Sequence, residues 1–265
     1  GSGKTLSSLA VAEALDRKVV VLLPAALKSN WKRELGEINA EYKMPSKSRQ
    51  ISEAEFKKAK KNIEEKIGKK YTFVSHNAYN TAEQLKNLVD ENNKPKNNEN
   101  NNTLDNDMVY KTFKKNKLDN KLLIIDEVHN MLSNVMSEES KNGTAIFDMI
   151  MNARNLKILA LSATPAVNDP YELALLFNML RGKIMLNGKK FNAFPDQYHD
   201  FKNYFINDRL NLIKNKFIFQ ERINGLVSFV KGAREDDIEV FPQQENKVER
   251  IEMSHYQFKL YSQAR

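Results

Sequence analysis

Cysteine is absent from the 265 residues, which excludes a disulfide framework and any cysteine-ligated zinc site. Histidine is scarce, with four residues scattered along the chain, so a histidine-built metal centre is not expected. No apolar run approaches the roughly 20 residues needed to cross a bilayer, and no membrane partner is expected. A glycine-rich turn opens the sequence at once, so no signal peptide is visible within it. What the chain does have is apolar surface and positive charge. A hydrophobic content of 41% can bury one sizeable core and part of a second, and the formal charge is +8. That charge suits a protein that tracks a phosphate backbone. The lysine runs at 57–61 and 111–117 have a second reading as solvated surface, and with the asparagines at 97–102 they also fit the bias of an AT-rich genome.

Apolar runs at 19–23, 71–74, 122–125 and 158–161 alternate with helical or polar segments, the βαβ rhythm of a parallel α/β sheet. Three motifs accompany them. Gly1-Ser2-Gly3-Lys4-Thr5, followed by a helical stretch at 6–15, fits the second half of a phosphate-binding loop. Small residues there let backbone N–H groups approach phosphates, Lys4 reaches the outer phosphates of ATP, and the Thr5 hydroxyl ligates Mg²⁺. The full pattern has another glycine upstream, so the sequence is expected to be a piece of something longer, without the strand that feeds the loop. Leu122-Leu123-Ile124-Ile125-Asp126-Glu127-Val128-His129 reads as a strand buried on both faces that delivers two carboxylates to the sheet rim. Asp126 would hold Mg²⁺ opposite Thr5, and Glu127 would position and deprotonate water. Ser162-Ala163-Thr164 ends a third central strand. It reads either as a link from the carboxylates to whatever the protein grips or as a plain turn before a helix. Asp169, Pro170 and Glu172 have the spacing of an N-cap, a first-turn proline and a capping box for that helix.

Together, the partial Gly-Lys-Thr loop, Asp-Glu-Val-His and Ser162-Ala163-Thr164-Pro165 resemble motifs I, II and III of superfamily 2 helicases and translocases. Leu23-Pro24-Ala25-Ala26-Leu27-Lys28-Ser29-Asn30-Trp31-Lys32-Arg33-Glu34-Leu35 is similar to the motif Ia region of the Swi/Snf-like branch, and Val74-Ser75-His76-Asn77-Ala78-Tyr79 to the next nucleic-acid-contacting segment. Phe219-Gln220-Glu221-Arg222-Ile223-Asn224-Gly225-Leu226-Val227-Ser228-Phe229, then Phe241-Pro242, resembles nucleoside triphosphate phosphohydrolase I and helicase-like transcription proteins of large DNA viruses.

The resemblance implies a RecA-like motor lobe over 1–168, a helical protrusion and linker over 169–241, and the opening of a second motor lobe over 242–265. ATP and Mg²⁺ are the implied cofactors. Pro24, Ser29, Asn30, Trp31 and Ser75 would lie along the nucleic acid, with duplex DNA preferred. Trp31 has an equal reading as a buried packing residue. His129, Ser162 and Thr164 would couple hydrolysis to grip. Viral RNA polymerase or transcription factors are the implied protein partners, in the cytoplasm, virion or viral factory, or in the nucleus of a cellular host. The arginine finger belongs to the rest of the second lobe, so this segment alone is expected to turn over ATP poorly. A non-motor reading stands beside the motor, a transcription factor subunit that uses the same fold as a switch or scaffold.

From 192 to 241, aromatic and basic residues mix. Phe194, Tyr198, Phe201, Tyr204, Phe205, Phe217, Phe219 and Phe229 read as helix packing or, less readily, as base-stacking platforms. Alternation at 249–253 suggests a short strand, and Ser254 with Gln257 has capping-box spacing for a following helix. Asparagine dominates 91–107, a composition that packs no core and reads as a flexible surface insertion. It interrupts no motif, so deleting 91–107 is expected to leave ATP turnover of the full-length protein intact. Abolished turnover in that deletion would show the insert to be part of the machinery.

Overall fold

A computed structural model describes residues 3–45, 52–76, 78–88, 116–137, 140–207, 209, 212–229, 247, 249 and 251–263. The asparagine-rich insert, Gly1 and Ser2 lie outside them. The four apolar runs form parallel strands β1 (Val19–Leu23), β2 (Tyr71–Ser75), β3 (Leu122–Asp126) and β4 (Lys157–Leu161), in the order β2-β1-β3-β4. β1 and β3 are buried at all five positions. The period-2 alternation of a strand explains this. Val20, Leu22, Leu123 and Ile125 enter one core, whereas Val19, Val21, Leu23, Leu122 and Ile124 enter the other. Helices α1 (Lys4–Ala14), α2 (Lys28–Ile38) and α3 (Glu53–Lys70) cover the second of these faces. Helices α4 (Thr81–Lys86), α5 (Val128–Met136), α6 (Lys141–Met151) and α7 (Tyr171–Arg181) cover the first. This is the RecA-like layering that the resemblance implies. β4 takes the sheet edge, and none of its five residues is fully buried.

Local chemistry sets the helix ends. Ser52 Oγ accepts the Glu55 N–H at 3.3 Å while Glu55 Oε2 accepts the Ser52 N–H at 3.0 Å, a complete capping box that starts α3. Gly143 in α6 lets that helix press against α5, since a Cβ there would lie 2.7 Å from the Asn134 carbonyl.

The region expected to be a helical protrusion from residue 169 differs in two respects. First, α7 shares one continuous core with α5, α6 and the sheet, so packing does not break at 168/169. Second, it is not wholly helical. Antiparallel pairs β5 (Ile184–Leu186) with β6 (Lys189–Phe191), and β7 (Ile206–Asn207) with β8 (Leu212–Ile213), sit among α8 (Tyr198–Phe205) and α9 (Lys216–Ile223). Phe194, Phe201, Phe205 and Phe219 are buried together, Phe194 and Phe219 with centroids 5.0 Å apart, and the Arg222 guanidinium lies 5.4 Å from the Phe205 centroid. They are packing residues. Tyr198, Tyr204, Phe217 and Phe229 are exposed.

Residues up to 227 form one compact unit and those from 228 a second. In the second, α10 (His255–Gln263) begins at Ser254, whose N–H donates to Gln257 Oε1 at 3.1 Å while its Oγ accepts the Gln257 N–H at 3.3 Å. The strand expected at 249–253 is not formed at the described positions 249 and 251–253. Alternation alone does not make a strand without a partner to bond.

One polar hub ties the second face together. The Glu13 carboxylate, at the end of α1, accepts from Tyr71 Oη at 2.6 Å and Asn39 Nδ2 at 2.8 Å and pairs with Lys70 Nζ at 3.3 Å. Burial pushes this carboxyl up, but the Tyr71, Asn39 and Lys70 donors outweigh it and hold it below its ordinary value. A depressed carboxyl contributes stability above its unfolded value and loses it as pH falls through the folded value. Glu13→Gln should therefore lower stability at pH 7 by about 1–2 kcal/mol. In urea titrations, the gap to wild type should narrow below about pH 4.

Candidate nucleotide cleft and its rim

The sheet register decides where polar chemistry collects. Leu22 pairs with Ile125, Leu23 with Ser75 and Asp126 with Leu161, so all four strands end at one level. The residues that follow them are Pro24, His76, Glu127 and Ser162. Parallel α/β sheets bind ligands at this carboxyl rim.

At the rim, Gly3 turns the chain into α1 with φ 72°, a left-handed conformation that costs glycine nothing sterically. Lys4 and Thr5 then face a cleft of about 370 Å³, whose wall also includes Leu27, Asn30, Trp31, Glu34, Asp126 and Glu127. The first turn of α1 carries no acidic side chain, which leaves its N-terminal N–H groups and dipole available to an anion.

Asp126 is buried and held from three sides. Its Oδ1 accepts the Glu127 N–H at 3.1 Å, its Oδ2 accepts Trp31 Nε1–H at 2.9 Å, and its backbone carbonyl lies 3.1 Å from His76 Nε2. A carbonyl only accepts, so that histidine nitrogen carries the proton. Glu127 is built differently. It caps α5 from the left-handed region, with φ 49° and ψ 54°. The neighbouring carboxylates thus leave the backbone from a strand and from a strained turn. Beyond them, His129 Nδ1 lies 3.4 Å from Glu127 Oε2 and 2.9 Å from Ser162 Oγ, which in turn accepts the Thr164 N–H at 3.0 Å. The three residues expected to couple the motifs form one continuous polar chain.

The segment from Ala25 to Glu37 separates into two faces. Leu27, Asn30, Trp31 and Glu34 follow the i, i+3, i+4, i+7 spacing of one helix side and line the nucleotide cleft. Ala25, Lys28, Ser29, Lys32, Arg33, Gly36 and Glu37 line a separate outer groove of about 540 Å³, completed by Lys43, Met44, Lys60 and Glu64. Ser29 is therefore on the groove side and Asn30 and Trp31 are on the other, where burial fits the packing reading of Trp31. Asn30 lies on the cleft wall, bonding Glu34 Oε1 at 2.9 Å, and Trp31 is 1% exposed. Pro24 and Ser75 are half-buried at the rim.

Two functional candidates escaped the sequence reading. His76 lies within Val74-Ser75-His76-Asn77-Ala78-Tyr79, and its signal in the sequence is its place directly after a strand, like that of Glu127. Glu172 was read as a capping-box residue, yet it is fully buried, and its carboxylate accepts from Val167 N–H at 2.7 Å and Ser133 Oγ at 2.9 Å rather than closing a box with Asp169. Asp169 does cap, its Oδ1 accepting the Tyr171 N–H at 2.8 Å. Glu172 thereby clamps the loop after Thr164 to α5. An acid on the same helix face as Leu175, Leu176 and Met179 was the available signal.

The left-handed backbone at Glu127 is testable by itself. Glu127→Gly should raise the urea midpoint, a gain of about 1 kcal/mol from relieved strain, whereas Glu127→Gln, which keeps the Cβ, should not. An unchanged midpoint in the glycine variant would show the turn to be unstrained.

Comparison with known proteins follows the same residues. The chain is 28% identical over its whole length to a termination factor NPH-I homolog of African swine fever virus (isolate Pig/Kenya/KEN-50/1950), spanning 32% of that protein. It is 38% identical over 53% of its length to the "Putative ATP-dependent RNA helicase R350" of Acanthamoeba polyphaga mimivirus, spanning 17% of that protein. With nucleoside triphosphatase I of Melanoplus sanguinipes entomopoxvirus it shares 32% identity over 45% of its length, spanning 16% of that protein. The chain thus spans about a third or less of the length of these relatives. Residues 1–167, well over half of the chain and the part that contains every rim motif, match the family model described as type III restriction enzyme, res subunit, and the chain belongs to that family.

Proposed function

We propose that this chain is the ATP-binding lobe of a motor that couples ATP hydrolysis to movement on nucleic acid, with duplex DNA as its preferred track. The observation that carries the reading is the meeting of Lys4, Thr5, Asp126 and Glu127 in one cleft, with the His129-Ser162-Thr164 chain leading away from it. Lys4 places a positive charge against the outer phosphates, beside the N–H groups that open α1. Glu127 orients the attacking water and accepts its proton.

The residues present fit Mg²⁺. The Thr5 hydroxyl and the Asp126 carboxylate are hard oxygen donors on the same cleft wall, and Mg²⁺ takes one or two such groups together with phosphate oxygens and water. Bound there, the ion would neutralise charge on the β and γ oxygens.

The outer groove supplies the grip. Lys28, Lys32, Arg33, Lys43 and Lys60 gather along it beside the Ser29 hydroxyl, with Lys32 partly neutralised by Glu64 at 3.1 Å. Cationic side chains in such a row contact phosphates without reading bases. The preference for duplex DNA rests on the resemblance of the 23–35 segment, with Pro24, Asn30-Trp31 and Glu34, to the Swi/Snf-like branch. A role in viral transcription, with RNA polymerase or transcription factors as partners in the virion or viral factory, is supported by the name termination factor among the relatives.

The test is ATP hydrolysis by the full-length protein with no nucleic acid, duplex DNA, single-stranded DNA or RNA, alongside Glu127→Gln. Stimulation by duplex DNA is expected. The variant should lose roughly 10²–10⁴-fold of turnover while still binding ATP. Hydrolysis indifferent to every nucleic acid would favour an ATP-dependent switch or scaffold, and RNA as the best stimulant would reassign the track.

A further inference from the structure

Trp31 is the one tryptophan of the 265 residues, and its position matches neither a strand-contacting residue nor simple core filling. The ring packs in the core with Leu9, Leu35 and Ile124, yet its only polar atom is aimed out of that core at a carboxylate. Nε1–H donates to Asp126 Oδ2 at 2.9 Å, a buried bond between residues 95 apart in sequence. The other carboxylate oxygen is fixed by the Glu127 N–H at 3.1 Å. With one donor on each oxygen, the plane of the Asp126 carboxylate is set from both ends.

An indole N–H suits this duty. It donates only, so it neither ligates a metal nor takes a proton from the carboxylate. It occupies one lone pair of Oδ2 and leaves the rest of the carboxylate's acceptor capacity for the cleft. Partners of this kind, which orient a ligand without touching the metal, typically alter metal affinity by roughly 10- to 100-fold when removed.

We propose that Trp31 is a positioning residue for the metal-binding carboxylate, its N–H holding Asp126 in the orientation that receives the Mg²⁺ carried by the nucleotide. The proposal rests on the ATP-binding reading above. It also assigns α2 a double duty, since the helix that presents Lys28, Ser29, Lys32 and Arg33 to the outer groove fixes the metal ligand with its opposite side.

The test uses the full-length protein and a non-hydrolysable ATP analogue, titrated with and without Mg²⁺ against wild type and Trp31→Phe. Phenylalanine retains an aromatic ring in the core and removes the donor. The Mg²⁺ concentration that half-saturates tight nucleotide binding should rise roughly 10-fold or more in the variant. Affinity measured without Mg²⁺ should stay within about twofold, because no phosphate contact is lost. A second measurement does not depend on how well that variant folds. In full-length protein whose tryptophans other than Trp31 are changed to phenylalanine, the emission should change when Mg²⁺ is added to the nucleotide complex and not when nucleotide is added alone, because the indole donor sits on the carboxylate that meets the ion. An unchanged Mg²⁺ requirement in Trp31→Phe, an equal loss of affinity with and without Mg²⁺, or emission indifferent to Mg²⁺ would each overturn the proposal while leaving nucleotide binding established. Failure of wild type to bind the analogue at all would overturn the ATP-binding reading itself.

Discussion

The complete burial of β3 is the constraint on which the site depends. A strand with both faces in hydrophobic cores offers no side chain to water along its length, so any polar group it carries must stand at its end. Asp126 stands there, one residue past Ile125. Parallel pairing then brings the ends of β1, β2 and β4 to the same level, and between β1 and β3, each buried on both faces, the register cannot slip by one residue without moving every apolar side chain to the wrong core. Hydrophobic packing thus fixes, to within a side chain's reach, where the phosphate loop, both carboxylates and Ser162 meet.

Much of this was legible in the residues. Two kinds of signal survive translation into three dimensions: continuous apolar runs, which gave each strand to within a residue, and polar residues placed directly after them. Capping chemistry survives as well, since the Ser254 and Gln257 pair forms its box within four residues of chain. What was not legible depends on partners distant in sequence. Nothing in the spacing of Asn30 and Trp31 tells that α2 turns one side to the cleft and the other to a basic groove, because helical periodicity gives the two faces but not their neighbours. Glu172 departs from its capping-box spacing for a related reason. A carboxylate near a helix start bonds whichever N–H groups lack partners, and here those belonged to the upstream loop at Val167 and to the Ser133 hydroxyl rather than to a local box.

The same lesson explains the region from 171 to 227. Its helices were expected, whereas its two small antiparallel pairs were not, because two- and three-residue strands carry too few residues for periodicity to register. The aromatics there were open to two uses, and burial separates them. Phe194, Phe201, Phe205 and Phe219 close a cluster against α7, which anchors the region to the core on that face of the sheet. That anchoring gives α7 a rigid support from which Glu172 holds the loop after Thr164.

The clamp and the polar chain at the rim act on the same two pieces of backbone. Ser133 and His129 are four residues apart on α5, so they lie on one side of that helix about one turn from each other. Through His129 the start of α5 touches Ser162, and through Ser133 and Glu172 the same helix grips the loop that follows Thr164. The Ser162-Thr164 segment and the loop after it are therefore bonded to one side of one helix. That helix begins at the strained Glu127, whose left-handed backbone joins it to β3. Asp126, at the end of the strand, is fixed by the Trp31 indole and the Glu127 N–H. The paired acids are thus held differently: one ends the buried strand, and the other occupies the turn into the helix that is bonded to the far side of the rim.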